Sequence, residues 1–247
     1  MNLIQFFAEN PVIAMGFSGG VDSSYLLYEA QKYAKKVRAY YVKSAFQPQF
    51  ELDDARKLAQ QTGADLRILQ VNILSHQEII SNLPNRCYFC KRAIFGTISS
   101  QAAQDGFPVL IDGTNASDAA DDRPGMRALK EMSVRSPLRE CGLTKSEIRK
   151  LSKEAGLLTW DKPAYACLAT RVPFHEPLNA DLLDRIEQAE NILFQFGFTD
   201  FRVRVFKGAA RLQLKEEQWA LAKEKRGEIL AALQPFFHSV LLDFQVR

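Results

Sequence analysis

One short segment constrains this chain more than any other. Ser18-Gly19-Gly20-Val21-Asp22-Ser23-Ser24 follows an apolar run, Val12 to Phe17, and precedes a stretch with Leu26, Leu27 and Ala30 at helical spacing. A short apolar run suits a buried strand, so the segment reads as the Gly-rich turn between a strand and a helix. In that setting the glycines let the backbone approach an anion closely, the hydroxyls can donate, and the helix N-terminus adds amides and a favourable dipole. The pattern predicts a phosphate site. It lacks the lysine of a Walker A loop, which argues against a grip on the β- and γ-phosphates for γ-phosphoryl transfer. The bland alternative is a Gly-rich turn with a serine cap.

The surrounding chain repeats the same grammar. Val37 to Val42 reads as a second strand, Glu51 to Thr62 as a helix closed by Gly63, and Leu66 to Val71 as a third strand. Strands alternating with helices over short connections imply an α/β, doubly wound parallel sheet, whose ligands bind at the carboxyl ends of the strands. Pro84 to Gly106 holds a C-x-x-C followed by a helix, and Val109 to Asp112 is a fourth strand running into Gly113-Thr114-Asn115. Asp112, Thr114 and Asn115, with Ser117-Asp118, fit a loop beside the nucleotide, or else a plain turn. Ala116 to Gly125 reads as a long loop, and Thr144-Lys145-Ser146-Glu147 opens a helix with a capping-box pattern. Trp160 to Pro177 is irregular and reads as a linker. Beyond it an α-β-β-α-β run (179–196, 200–206, 210–214, 216–233 and 239–244) predicts a smaller α+β domain, giving domains of 1–175 and 176–247.

The 247 residues are enough for a large and a small domain, and apolar and charged contents of 47% and 25% are those of ordinary globular chains. No apolar run approaches the roughly 20 residues of a membrane span, and the N-terminus lacks a basic segment, so a cytoplasmic protein without membrane contact is expected. The net charge of +3 is too small to argue for nucleic acid.

In that compartment thiols stay reduced, so the four cysteines Cys87, Cys90, Cys141 and Cys167 need another account. The Cys87–Cys90 pair reads as a metal or cluster site, a redox pair, or coincidence. A structural zinc needs four protein ligands, and neither a second C-x-x-C nor a spaced histidine pair is present. Three thiolates, with Cys167 as the third, would hold a [4Fe-4S] cluster and leave one iron able to carry an extra sulfide. Cys141 reads as a small, partly buried hydrophobe. Arg171, Arg202, Arg204 and Arg211 are candidates to grip a multiply anionic substrate through paired hydrogen bonds, or else are ordinary surface charge. Glu190 is a candidate ligand for a divalent ion, or a solvated helix residue.

The loop resembles S-G-G-x-D-S, the PP-loop of ATP pyrophosphatases. That resemblance implies ATP as the nucleotide, with Ser18, Gly19, Gly20, Asp22, Ser23 and Ser24 at its pyrophosphate end and Asp22 assisting Mg2+. More specifically, a series covers nearly the whole chain in order: Asn85-Arg86-Cys87-Tyr88-Phe89-Cys90-Lys91, Asp112-Gly113-Thr114-Asn115, Asp122-Arg123-Pro124-Gly125, Ser136-Pro137-Leu138, and Lys162-Pro163 leading to Cys167-Leu168-Ala169-Thr170-Arg171. With Arg185 to Glu190 and Phe201-Arg202-Val203-Arg204, it is similar to the LarE family of ATP-dependent sacrificial sulfur transferases. The resemblance implies that a carboxylate of pyridinium-3,5-biscarboxylic acid mononucleotide is adenylated and converted to a thiocarboxylate, a step in making the nickel-pincer nucleotide cofactor. It implies the three-cysteine type, with a [4Fe-4S] cluster on Cys87, Cys90 and Cys167, Cys167 standing at the sacrificial position, Arg171 catalytic, a sulfide or sulfur donor, and a homo-oligomer. Gln213 stands where an acidic residue is expected after Ala210-Arg211-Leu212, which puts a second metal ligand in doubt.

The rival enzyme class is a PP-loop enzyme that thiolates tRNA, which would need an RNA surface that the small net charge and the lack of a dense Lys/Arg run do not supply. An amide-forming PP-loop synthetase would leave the three cysteines without a job. A non-enzymatic nucleotide-binding regulator predicts ATP binding without release of pyrophosphate.

Overall fold

A computed structural model describes residues 1–118 and 123–246. Two compact units account for the chain: Met1–Ile73 with Asn85–Lys162, and Leu74–Pro84 with Pro163–Arg247. The first contains α1 (Leu3–Glu9), β1 (Val12–Gly16), α2 (Val21–Tyr33), β2 (Lys36–Lys43), α3 (Gln49–Thr62) and β3 (Leu66–Gln70). After α4 (Gln77–Ile80), which belongs to the second unit, follow α5 (Arg86–Gln104), β4 (Val109–Ile111), α6 (Pro124–Glu131), α7 (Pro137–Glu140) and α8 (Lys145–Glu154).

The four strands are parallel in the order β3-β2-β1-β4. Side chains alternate across such a sheet, and both faces are covered. Ile13, Met15, Ala39, Tyr41 and Ile111 pack with α1, α2, α3 and α8 through residues such as Phe6, Leu26, Leu58 and Ile148. Ala14, Tyr40 and Val42 pack on the other face with Ile98 and Ala102 of α5. Each full burial of a large apolar side chain contributes about 1.5–3 kcal/mol, so this two-sided core is what holds the strand ends in register. The α/β fold expected from the alternating pattern is the fold observed.

The second unit adds α9 (Ala180–Gln195), β5 (Arg202–Phe206), β6 (Ala209–Gln213), α10 (Trp219–Glu224), α11 (Arg226–Leu233) and β7 (Val240–Leu242). Its small sheet is mixed: β5 and β6 are antiparallel, β6 and β7 parallel. Val203, Val205 and Leu212 are buried, as are Ile186 and Leu193 of α9. The sequence placed the boundary at 175, whereas the second unit includes Pro163 onward and the segment 74–84. Local bonds explain the grouping: Asn82 Nδ2 donates to the carbonyls of Pro173 (2.7 Å) and Glu176 (2.9 Å), and the Leu178 amide donates to Ile80 (2.8 Å).

Several local expectations change. The C-x-x-C lies inside α5 rather than ahead of it. The stretch 216–233 is not one helix, because Lys225 (φ −87°, ψ 11°) leaves helical dihedrals and separates α10 from α11. Of the loop expected over Ala116–Gly125, residues 119–122 lie outside the described residues, as does Asp122 of the family-like series. α6 starts at Pro124, where the missing N–H costs nothing.

A polar cluster ties α5 to the edge of the sheet. Tyr40 Oη donates to Asp105 Oδ2 (2.7 Å), Arg67 to Oδ1 (2.7 Å), and Arg38 lies 3.0 Å from Oδ2. These bonds, the tyrosine's first, hold the Asp105 carboxyl at about 2 against an ordinary 3.8. A carboxyl depressed by folding stabilises the fold above its unfolded pKa, and that contribution disappears as pH falls toward the folded value. Asp105→Asn therefore lowers stability at neutral pH, and the gap to wild type closes between about pH 3.8 and 2 in urea titrations. A gap of constant size across that window contradicts the assignment.

Candidate active site

Two loops meet at the carboxyl ends of β1 and β4, where the strand order turns back. The loop after β1 turns through Gly19 at φ +71°, and a Cβ there would sit 3.3 Å from Ala55 Cα. Both constraints demand glycine. Ser18 Oγ lies 3.0 Å from Ser23 Oγ, and Ser23 and Ser24 Oγ donate back to the Gly20 carbonyl at 3.1 and 2.7 Å. Gly20 is the N-cap of α2 and makes no side-chain cap bond, so the opening amides of a 13-residue helix face the loop without a capping side chain. That is an anion site built from backbone.

The loop after β4 is pressed against it. A Cβ on Gly113 would lie 3.0 Å from Ser23 N and Cα, so the absence of a side chain lets this loop touch the first turn of α2. Asp112, buried, accepts from Thr114 Oγ1 (2.5 Å), the Thr114 amide (3.3 Å) and Ser136 Oγ (2.7 Å). Asn115, also buried, accepts from the Ser117 amide (2.8 Å). Asp112, Thr114 and Asn115 thus lie on the loop after β4, with Asp112 and Thr114 bonded to each other and shaping the loop.

Two lysines lie beside the loop after β1. Lys145 Nζ reaches Asp22 Oδ2 at 2.6 Å, while Asp22 Oδ1 is buried with no hydrogen-bond partner. An orphaned buried carboxylate oxygen suits a hard cation such as Mg2+. Lys162 Nζ lies 2.8 Å from Asp54 Oδ2 and 3.4 Å from the Gly19 carbonyl. Neither lysine was assigned a role from the sequence. The readable signal was Lys145 itself, a cation in the first turn of α8, where the helix dipole disfavours positive charge.

The second unit carries Cys167 and the arginines. Cys167 ends an irregular stretch and caps a 3-10 turn, Leu168–Arg171. Guanidinium groups take up the carbonyls along this stretch. Arg202 donates to Ala164 (2.5 Å), Arg171 to Ala166 (2.7 Å) and Cys167 (3.4 Å), and Arg204 to Thr170 (2.7 Å). Arg171 and Glu190 are each 1% exposed and bonded through two pairs, Nε to Oε1 (2.8 Å) and Nη2 to Oε2 (3.1 Å). Burial works against the Arg171 charge, and the bonds and charge of Glu190 more than offset it, so its pKa stands above the ordinary value.

Glu190 is therefore neither solvated nor an open ion ligand: its oxygens also accept from the Val203 amide (2.9 Å) and from the Tyr165 hydroxyl. Arg171 is enclosed, and its guanidinium is bonded to the protein's own groups. Arg202, buried, shares the face of β5 with Arg204, and Arg211 stands directly across from Arg204 on β6. Like charges directly opposite destabilise a sheet. Arg211 Nε approaches Asp243 Oδ2 at 3.4 Å without a hydrogen bond, whereas Arg204 Nε donates to Gln213 Oε1 (2.9 Å). Gln213 thus acts as an acceptor for Arg204.

All four cysteines are thiols. Cys87 and Cys90, three residues apart on α5, share a helix face. They belong to the first unit and Cys167 to the second. Among the described residues, neither unit by itself gathers three His, Cys, Asp or Glu side chains that could hold a metal ion. Cys141 is half-buried against the first core, and burial pushes its thiol pKa up. No helix among the described residues is long and apolar enough to cross a membrane.

A parallel sheet with a backbone anion site at its switch point defines a nucleotide-binding α/β protein. The asparagine synthase family model matches residues 4–116. An uncharacterized protein of Synechocystis is 36% identical over 249 residues, covering 99% of this chain and 92% of the relative. The pyridinium-3,5-bisthiocarboxylic acid mononucleotide synthase of Lactiplantibacillus plantarum is 32% identical over 206 residues, 83% of this chain and 75% of that one. A tRNA-specific 2-thiouridylase of Pseudothermotoga lettingae is 28% identical over 182 residues, 59% of this chain and 52% of the relative. The chain belongs to the PP-loop ATP pyrophosphatase family, with a LarE-like relative in the Lactiplantibacillus synthase.

Hydrogen bonds to charged groups contribute about 1.5–3 kcal/mol. Lys145→Ala removes one charge from beside the loop after β1 and is expected to weaken ATP binding roughly tenfold or more in calorimetry, since about 1.4 kcal/mol is tenfold. Cys141→Ala leaves ATP affinity unchanged in the same assay.

Proposed function

We propose that the protein is an ATP-dependent sulfur transferase that adenylates a carboxylate of pyridinium-3,5-biscarboxylic acid mononucleotide and converts it to a thiocarboxylate, in nickel-pincer nucleotide cofactor biosynthesis. The observation that carries the reading is the uncapped start of α2 beside Asp22 and Lys145, in a chain that also exposes Cys87 and carries Cys90 and Cys167. The 32% identity to the Lactiplantibacillus synthase supports the substrate class.

The chemistry follows from what each unit offers. A carboxylate is a poor electrophile. The α2 amides, Ser18, Ser23, Ser24 and Lys145 hold the pyrophosphate end of ATP, and the unpartnered Asp22 oxygen would hold Mg2+ there. Substrate oxygen attacks the α-phosphorus, pyrophosphate leaves, and an acyl adenylate forms. A sulfur nucleophile then attacks the carbonyl carbon, AMP departs, and a thiocarboxylate remains. The Arg204–Arg211 pair, with Arg202 on the same face, suits a substrate carrying phosphate and carboxylates, because an anion between them relieves their repulsion.

Cys87, Cys90 and Cys167 are the residues that would hold a [4Fe-4S] cluster. Two thiols on one face of α5 fit two of the three thiolates in such a ligand set. When bound, the cluster supplies a sulfide on the iron that has no protein thiolate. A sulfide or sulfur donor replenishes it. The similarity to a tRNA 2-thiouridylase favours a second reading, thiolation of RNA, which the net charge of +3 does not favour.

Incubation of anaerobically purified protein with ATP and the biscarboxylate nucleotide is expected to release pyrophosphate and give a product whose mass rises by one oxygen-to-sulfur exchange. Labile sulfide and the iron absorption are expected to fall in Cys87→Ala, Cys90→Ala and Cys167→Ala alike. Pyrophosphate release driven by tRNA instead of the nucleotide contradicts the proposal.

A further inference from the structure

The second unit contains a buried charged network that the reaction steps leave without a task. Tyr165, Glu190 and Arg171 come from three different places: the irregular stretch before Cys167, the middle of α9 and the end of the 3-10 turn. Their bonds run in one direction. The Val203 amide (2.9 Å) fixes Glu190 Oε1 to β5, and Glu190 fixes Nε and Nη2 of Arg171. That leaves Nη1, which points at Ala166 O (2.7 Å), Thr170 Oγ1 (2.9 Å) and Cys167 O (3.4 Å). The Tyr165 hydroxyl donates to Glu190 Oε2, and its ring lies 4.4 Å from the Arg171 guanidinium and 4.9 Å from that of Arg202.

The Cys167 stretch belongs to neither a strand nor an α-helix, so its carbonyls have no ladder to join. Arg171 Nη1 is the partner of the Ala166 carbonyl and joins the Thr170 hydroxyl (2.8 Å) and amide (3.0 Å) at the Cys167 carbonyl, and its direction is set by what holds the opposite edge of the guanidinium. Glu190 holds one edge through two bonds, and the Tyr165 ring limits rotation out of the plane. The Cys167 backbone is thereby anchored to α9 and β5.

We propose that Glu190 and Tyr165 are positioning residues for Cys167, acting through Arg171. The proposal rests on the reading that Cys167 serves sulfur transfer. Adenylation draws on the loop of the first unit, so loosening Cys167 leaves pyrophosphate release intact. The acyl adenylate is then lost to water, which attacks the carbonyl carbon, restores the carboxylate and expels AMP. The signature is uncoupling, with more pyrophosphate per thiocarboxylate.

The test uses full-length Glu190→Gln, Glu190→Asp and Tyr165→Phe in two measurements. The first is hydrogen–deuterium exchange of the segment 164–170 without substrate, where the Thr170 amide bonds the Cys167 carbonyl (3.0 Å). The second is the ratio of pyrophosphate to thiocarboxylate with ATP and the biscarboxylate nucleotide. Glu190→Gln is expected to speed exchange in 164–170 at least several-fold, to leave the strands of the first unit unchanged, and to raise the ratio several-fold. Glu190→Asp, which keeps the charge, and Tyr165→Phe, which keeps the ring, fall between it and wild type. Wild-type exchange in folded Glu190→Gln, or an Asp variant no better than Gln, overturns the proposal. If Glu190→Gln does not fold, Tyr165→Phe decides alone, and wild-type exchange there overturns it. If wild type itself releases no pyrophosphate, the proposed reaction fails, while the exchange measurement still decides whether the network holds Cys167.

Discussion

A parallel sheet sends every connection across one of its faces, and at the point where strand order reverses the loops on either side leave in opposite directions and open a crevice. Here that point is β1 beside β4. The loop after β1 delivers the first turn of α2, and the loop after β4 is drawn against that turn by Gly113, where a side chain would reach within 3.0 Å of Ser23. Everything chemical in the first unit depends on this contact. The serines, the uncapped amides, the free oxygen of Asp22 and the two lysines are brought together only because both faces of the sheet are packed and the strand ends cannot shift.

The second unit uses a different constraint. Its sulfur-bearing stretch has no regular structure, and arginines rather than a backbone ladder satisfy its carbonyls. The Arg171–Glu190 pair at the centre is a poor source of net stability, because two buried charges must be desolvated. Removing one partner is another matter, costing about 3–5 kcal/mol by leaving the other charge buried alone. The pair is thus better understood as a device for fixing geometry than as glue.

What could be read from sequence follows this division. The alternation of strands and helices, the capped start of α8 at Thr144 and the glycine turn at Gly19 are local signals, and each appears where periodicity and turn chemistry put it. The roles of the arginines were not local. A sequence reader sees Arg171, Arg202 and Arg204 as charges wholly available to a ligand; the fold also engages some of their donors on the chain's own carbonyls around Cys167. Glu190 looked like a solvated or ion-binding carboxylate until α9 buried it against Arg171. Lys145 and Lys162 became visible as cations of the loop only when residues 123 and 143 positions away in sequence were brought beside them.

In the proposed reaction one substrate carboxylate is activated by AMP and then attacked by sulfur. Labelling both oxygens of that carboxylate with oxygen-18 tests it most directly. Attack on the α-phosphorus followed by sulfur attack at carbon carries one labelled oxygen into AMP and leaves the other in the thiocarboxylate, so mass spectrometry of AMP should find one oxygen-18 per thiocarboxylate formed. Thiocarboxylate accompanied by unlabelled AMP, or by label in phosphate or pyrophosphate, would contradict adenylation of the carboxylate.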